Sequence, residues 1–355
     1  MGMNAFQGLA VSRDISQIFF NTGDLGALRP WIDDDNRVRV TLGGHKPPEK
    51  QEHPVVNATS TMRKEDWLAL DGQILKVAKE RLKLVGDLNA SGLVFSIANG
   101  MGKTVFQTER ASDISEATAS MDPIRESEKD RPVYDFVNLP LPIVHKDFEF
   151  TMRQLMVSRN SDTPLDTSTG ERAARRVAEL VERFAIGSET FPTFGGGTIY
   201  GLVNFPSANT YDVVAPTETG WVGATTLADL LAMRQAAISD KYYGPYMVFV
   251  STDWDKYLDG DFSTAKGDLS LRERLKMVSN ILDIRTLDYL TAGYKMILVQ
   301  WDTDTIRMVN GIALTTLQWE EKGGMLQKFK VLTQQVPQVR ADQNGNCGIV
   351  YGVPA

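Results

Sequence analysis

The 355-residue sequence predicts an α+β fold. Three observations carry this expectation. Two stretches place apolar residues at three- and four-residue steps, the mark of amphipathic helices. Several shorter stretches alternate or run apolar, as strands do. The two kinds do not follow one another in regular β-α-β order, which argues against a doubly wound parallel sheet.

Residues 1–63 read as an extended arm. They carry Pro30, Pro47, Pro48 and Pro54, the acidic triplet Asp33-Asp34-Asp35, and only short apolar clusters. Residues 37–42 alternate and are expected to form one strand. The segment has too little core of its own, so it is expected to be tied to another subunit. Residues 64–88 read as a helix over 65–85. Trp67, Leu70, Ile74, Val77, Ala78, Leu82 and Val85 form one apolar face, with Gly86 as the C-terminal cap.

Residues 89–139 change character. Leu93-Val94-Phe95 and Thr104-Val105-Phe106 are short strand candidates on either side of an Asn99-Gly100 turn. Residues 113–131 are of mixed charge with little apolar content. Structureless loops of this length are uncommon inside compact domains and tend to be functional. A projecting arm that pairs with a neighbour is therefore expected.

Residues 139–155, LPLPIVHKDFEFTMRQL, read as strand throughout, with both prolines at its start. Residues 166–187 give the strongest helix. Ser168 and Glu171 have capping-box spacing, Ala174, Val177, Ala178, Val181, Phe184 and Ala185 line one face, and Gly187 can end it.

From about Trp221 helix and strand are mixed. A helix capped by Thr226 or Asp229 is expected to reach Ser239, followed by a strand at 246–250 and a helix at 269–281. Strands at 295–300 and 305–319 flank a turn at Asp302-Thr303-Asp304. Strands at 328–339 and 348–351 end the chain.

Four patterns invite a chemical reading, and each fails on spacing. Gly102-Lys103-Thr104 ends like a phosphate-binding loop, but that loop needs glycine at position 97, which is Ile97, and a helix where Thr104-Val105-Phe106 reads as strand. No nucleotide is expected. Gly195-Gly196-Gly197 lacks the third glycine of a dinucleotide loop, Tyr200 standing there, and follows a helix rather than a strand. A corner is expected. Asp342 to Cys347 begins like a calcium loop, but Cys347 and Val353 occupy the glycine and glutamate places. A hairpin turn at Asn344-Gly345 is expected instead. The three histidines, His45, His53 and His145, form no helical ligand pair, and none neighbours Cys347. Asp253, Asp255, Asp259 and Asp261 read as helix-start and turn residues. No catalytic, cofactor-binding or metal-binding residue is expected, and the chain is expected not to be an enzyme.

Composition narrows the partners. The net charge of -7 argues against tight binding of a DNA backbone. The single cysteine, Cys347, excludes an intrachain disulfide and suits a reducing compartment such as a cytoplasm. No apolar run approaches a membrane span, and no secretion signal is recognisable.

The order of elements resembles that of the tailed-phage major capsid proteins, the Hong Kong 97-like fold, and of their relatives the encapsulins. LPLPIVHKDFEF resembles the encapsulin strand leading back from the extended loop. GGGTIYGLVN, residues 195–204, resembles the glycine turn and Gly-Leu-x-Asn that follow the spine helix in phage coats. YYGPYMVFVSTDWDKYL, residues 242–258, resembles the strand and helix of the axial domain.

The resemblance implies an N-terminal arm at 1–63, an N-terminal helix at 64–88 and an extended loop at 89–139 lying over the next subunit. It also implies a peripheral domain with a spine helix at 140–220, an axial domain at 221–325, and C-terminal strands returning to the peripheral domain at 326–355. The implied function is self-assembly, as pentamers and hexamers, into an icosahedral shell enclosing double-stranded DNA without binding it strongly. The implied location is a virion, made in a host cytoplasm, with portal, scaffolding or decoration proteins as further partners and no membrane.

An encapsulin-like compartment holding a cargo enzyme is the alternative, and a soluble α+β enzyme a third reading. The arm at 1–63 departs from the encapsulins and favours a phage coat. No large N-terminal cleavage is expected. Some relatives cross-link a loop lysine to a neighbour's asparagine; Lys103 and Lys129 are expected to be solvated instead, Lys103 at a subunit surface.

Overall fold

The computed structural model describes residues 83–112, 131–160, 168–262 and 269–354, with 31–32, 38–41, 52–55, 70, 74, 114, 116–117, 119, 121 and 129. In chain order the elements are β1 (Trp31–Ile32), β2 (Val38–Thr41), β3 (Glu52–Val55), α1 (Lys83–Ala90), β4 (Val94–Ser96), β5 (Val105–Ala111), β6 (Tyr134–Pro140), β7 (Val144–Thr151), α2 (Met152–Asn160) and α3 (Ser168–Ile186). They continue with β8 (Asn209–Val213), α4 (Gly223–Ser239), β9 (Tyr246–Ser251), α5 (Asp255–Leu258), α6 (Leu271–Lys276), β10 (Ile281–Leu287), β11 (Met296–Gln300), β12 (Ile306–Glu321), β13 (Leu326–Val339) and β14 (Ile349–Pro354). The mixture is α+β, as expected. The chain forms two compact units, Met1–Thr104 with Leu141–Glu182 and Met308–Val336, and Val105–Pro140 with Arg183–Arg307 and Pro337–Ala355.

The first unit is built on a four-stranded sheet in the order β4-β12-β13-β7. β7 alternates: Val144, Phe148 and Phe150 are buried while His145, Asp147 and Glu149 face outward. Phe148 stacks on Phe329 of β13 at 5.1 Å, and Phe150 meets both rings edge-on. The strand expected to run to residue 155 stops at Thr151. Thr151 and Gln154 form a reciprocal cap, Gln154 Oε1 accepting the Thr151 N–H at 2.9 Å, and this turns the chain into α2. Pro140 ends β6 rather than opening a strand.

The apolar face of α3 is buried as its spacing predicts, Ala174, Val177, Ala178 and Val181 all at 5% exposure or below. The helix stops at Gly187, whose φ of +89° suits glycine, and the Gly187 and Ser188 N–H groups both donate to the Arg183 carbonyl.

Leu70 and Ile74 of the first expected helix are helical and buried; most of residues 64–82 lies outside the described residues. Gly86 does not end a helix but sits inside α1. The stop comes at Gly92, φ +73°, where Leu93 N–H donates to the Leu88 carbonyl and Gly92 N–H to that of Asn89. This is a Schellman motif, with Leu88 and Leu93 both buried as its apolar contact. The strand expected at 37–42 is β2, the middle of an antiparallel three-stranded sheet. Most of 113–130 lies outside the described residues.

The second unit is built on a five-stranded sheet in the order β10-β9-β11-β14-β8. β11 runs antiparallel to β9 and β14, while β10 joins β9 and β8 joins β14 in parallel. Every residue of β9 is buried, and so are Met296 to Val299 of β11. Leu230, Met233, Trp254, Leu271 and Leu275 complete the core on one face.

Thr226 and Asp229 are not caps. They lie inside α4 and are buried, Thr226 Oγ1 accepting from the Trp221 indole at 3.1 Å and Asp229 Oδ2 from the Val214 N–H at 3.0 Å. The helix expected to reach Ile281 is only α6. A capping box between Ser270 and Glu273 starts it, and Asn280, at φ +67°, ends the turn beyond it and leads into β10. Gly345 does form a turn, at φ +85°, but not a hairpin, since β13 and β14 belong to different sheets.

Candidate assembly surface

Among the described residues β5 and β6 pair only with each other, in antiparallel register from Val105↔Pro140 to Ala111↔Tyr134. Ser112 and Val133 prolong the pairing. Exposure grows toward the free end: Leu139 and Pro140 are buried, whereas Tyr134, Phe136 and Val133 are 56%, 58% and 66% exposed. Arg110 faces Asp135 across the strands at 3.2 Å, a solvated pair worth about 1 kcal/mol or less. An isolated two-stranded sheet is marginal in water, and its open edges are templates for further pairing. Exposed aromatic side chains on such a ribbon mark a surface made to be covered.

The root of the ribbon is held firmly. Gln338 Nε2 donates to Thr108 Oγ1 at 3.2 Å and is itself fixed by Arg307 Nε donating to Gln338 Oε1 at 2.7 Å. The Arg307 guanidinium lies 6.0 Å from the Phe106 ring centre, and burial lowers its pKa from the usual arginine value. Arg110 Nη1 donates to the Asp342 carbonyl at 3.2 Å, and Asn138 Nδ2 to the Gly195 carbonyl at 2.9 Å.

The glycine corner is the socket. A β-carbon on Gly195 would stand 2.5 Å from Val105 Cγ2, and one on Gly197 2.1 Å from the Asn138 carbonyl oxygen. A cavity of about 390 Å³ opens beside this root, lined by Thr108, Phe136, Asn138, Tyr200, Phe205 and Pro337 among others. The Gly-Leu-x-Asn beyond the corner completes the end of α3. Leu202 and Val203 N–H groups donate to the Ala185 and Ile186 carbonyls, and Asn204 Oδ1 accepts from the Gly201 N–H at 2.7 Å.

The turn before β5 explains its own glycines. Asn99 is left-handed at φ +56°, and Gly100–Gly102 form a 3-10 turn. Gly100 is buried against the Gly311 backbone, and Gln334 closes the contact by donating Nε2 to the Leu141 carbonyl at 2.9 Å and to that of Lys103 at 3.3 Å. Lys103 is exposed, and the chain runs on from it into strand β5, not into a helix. The sequence reading missed Gln334 and Gln338. Both sit on one face of β13 four residues apart and are buried, but the strand also carries Gln327, Lys328, Lys330, Thr333 and Gln335, so its sequence alone does not single them out.

The remaining candidates are dispersed. His145 is exposed, 3.8 Å from Asp147, which also meets Lys330 at 3.5 Å. His53 lies in β3 and His45 outside the described residues. Asp255 and Asp259 share Arg272 at 2.8 and 2.9 Å, and Asp253 accepts the Gly293 N–H. Asp255 starts α5, as its helix-start reading expects. Cys347 is buried, and burial pushes its thiol up to about 12. Among the described residues no three His, Cys, Asp or Glu side chains converge as a metal site would require, and no helix is long and apolar enough to cross a membrane.

A model of a family of unknown function, DUF6260, matches residues 57–352. Among solved structures the chain is similar to the virus-like particle of Pyrococcus furiosus, at 16% identity and a TM-score of 0.58 over 81% of this chain and 99% of that one. It is similar to the capsid of Myoviridae phage XM1 at 9% identity and 0.59, over 75% and 91%. It is also similar to the capsid of a native GTA particle at 12% identity and 0.52, over 74% and 87%. At these identities the likeness is one of fold, and the fold is the Hong Kong 97-like one.

Proposed function

Because the chain belongs to the family of unknown function DUF6260 and has the fold of phage capsid proteins, we propose that it is a major capsid protein. Copies assemble as pentamers and hexamers into an icosahedral shell around double-stranded DNA. In this reading residues 1–63 are the arm and 64–88 the N-terminal helix. Residues 89–139 are the extended loop laid over a neighbour, 140–220 the peripheral domain with α3 as its spine, and 221–325 the axial domain. Residues 326–355 return to the peripheral domain. Portal, scaffolding or decoration proteins are further partners, and the shell sits in a virion made in a host cytoplasm.

The observation that carries this reading is the β5–β6 ribbon, whose root is fastened through six side chains while its apolar end is left uncovered. A limb built that way suits a contact repeated around a closed symmetric shell, where many modest interfaces add. The net charge of -7 suits a wall that holds packed DNA without adhering to it.

A second reading is a closed compartment around a protein cargo. It is favoured by the match to 99% of the Pyrococcus furiosus virus-like particle chain. Electron microscopy of the expressed protein tests both, with closed shells expected; small discrete oligomers would overturn them. The contents then decide, double-stranded DNA for the first and one protein species for the second.

A further inference from the structure

Glu182, near the end of α3, is 2% exposed, the least of any carboxylate among the described residues. Its Oε1 accepts the Leu84 N–H at 2.6 Å and its Oε2 the Val85 N–H at 3.2 Å. Those two donors lie in the first turn of α1, which begins at Lys83. The first N–H groups of a helix have no partner within it, and a capping side chain normally comes from the residue just before. Here α3 supplies the cap from nearly a hundred residues away in sequence. Within the same unit, a β-carbon on Gly170, near the start of α3, would stand 2.7 Å from Leu70 Cδ1. Leu70 thus lies against α3 near its start, and the first turn of α1 is capped near its end.

Glu182 makes no ion pair among the described residues, and the charges around it are committed or opposed. On α1, Lys83 favours ionisation and Asp87 disfavours it. On α3, Glu179 is held by Arg175 at 3.7 Å and Arg176 at 3.0 Å, while Arg183 is held by Glu189 at 3.0 Å. A carboxylate removed from water without a counter-charge favours its protonated form. Burial pushes Glu182 up to about 7, against the two N–H bonds, which pull it down.

We propose that Glu182 is a proton-operated latch, holding α1 on α3 tightly while it carries its proton and slackening when it ionises. In the opened form the side chain meets water and ionises from about 4.5. Between there and about 7 the open form is charged and the closed form is not, so rising pH favours opening across that window. Above about 7 both are charged and the effect is complete. A difference of this size corresponds to about a 300-fold change in the opening equilibrium.

Hydrogen exchange by mass spectrometry on the full-length protein, corrected for intrinsic exchange rates, reads this directly. Protection of residues 83–90 is expected to fall roughly 70-fold from pH 5 to pH 8, while that of 246–251 in β9 holds. In Glu182→Gln, neutral at every pH, the profile over 83–90 is expected to be flat. A flat wild-type profile, or a Glu182→Gln profile as steep as wild type, overturns the proposal. Should Glu182→Gln fail to fold, infrared titration of Asp229→Asn replaces it, that change removing the other buried acid with a raised pKa. A protonated carboxyl band that disappears near pH 7 supports the latch, and its absence above pH 6 overturns it.

Discussion

Replacing Gly100 by alanine tests how the turn before β5 is held. The new β-carbon would lie 2.4 Å from the Gly311 carbonyl carbon and oxygen and 2.5 Å from Gln334 Oε1. The far end of a side chain can swing away, but backbone cannot, so residue 100 must withdraw from Gly311. Overpacking of this kind costs about 1–3 kcal/mol. Withdrawal also parts Gln334 Nε2 from the Leu141 and Lys103 carbonyls, now 2.9 and 3.3 Å away, at about 1 kcal/mol each. The expected loss is about 3–5 kcal/mol. Gly86→Ala is the matched control. Gly86 lies inside α1 with nothing within 4 Å of where its β-carbon would go, and alanine there is expected to stabilise by about 0.5–1 kcal/mol. Urea unfolding of the soluble subunit measures both, as a shift in midpoint at unchanged slope. A Gly100→Ala midpoint at or above that of wild type would refute the close-approach argument.

Exposure and burial set two further outcomes. Phe136→Asp, on the 58% exposed end of the ribbon, is expected to change subunit stability by no more than about 0.5 kcal/mol while abolishing shells. Sedimentation velocity and electron microscopy check this, and normal shells would remove the ribbon from the assembly surface. Cys347, buried with its thiol pushed up to about 12, is expected to react with a thiol reagent at pH 8 at least about a hundredfold more slowly in the folded protein than in urea. Equal rates in the two conditions would show the site to be open.

The elements legible in the sequence are those whose signal is local. α3 announces itself by an apolar stripe and a terminal glycine, and both act as expected. β9 and β11 are short apolar runs, and both are buried sheet centres. The elements that went unread depend on partners distant in sequence. β8, Asn209–Val213, is a strand because it lies parallel to β14. β10 is one because it lies parallel to β9, and its Ile281 looked like the last turn of a helix that ends at Lys276. β6 is mostly solvent-facing and carries no burial pattern to read. α2 was within reach: Thr151 and Gln154 have the spacing of a capping box, but the alternation of β7 runs straight into it and hides the change of period. Of the assembly surface, the glycine corner was legible as a corner, whereas its role as a socket for Val105 and Asn138 was not. The Glu182 cap joins two helices across 98 positions and leaves no trace in local spacing.

The contrast between the buried centre of the five-stranded sheet and the uncovered end of the ribbon has a genetic consequence. Lesions that spoil folding and lesions that spoil assembly fall in different codons. Among random substitutions, those in β9 and β11, which are buried on both faces, would be recovered as insoluble protein. Those at Val133, Tyr134 and Phe136 would be recovered as soluble subunits that never close into a particle. In the proposed assembly, a suppressor of the second class identifies the residue of a neighbouring copy that meets the ribbon.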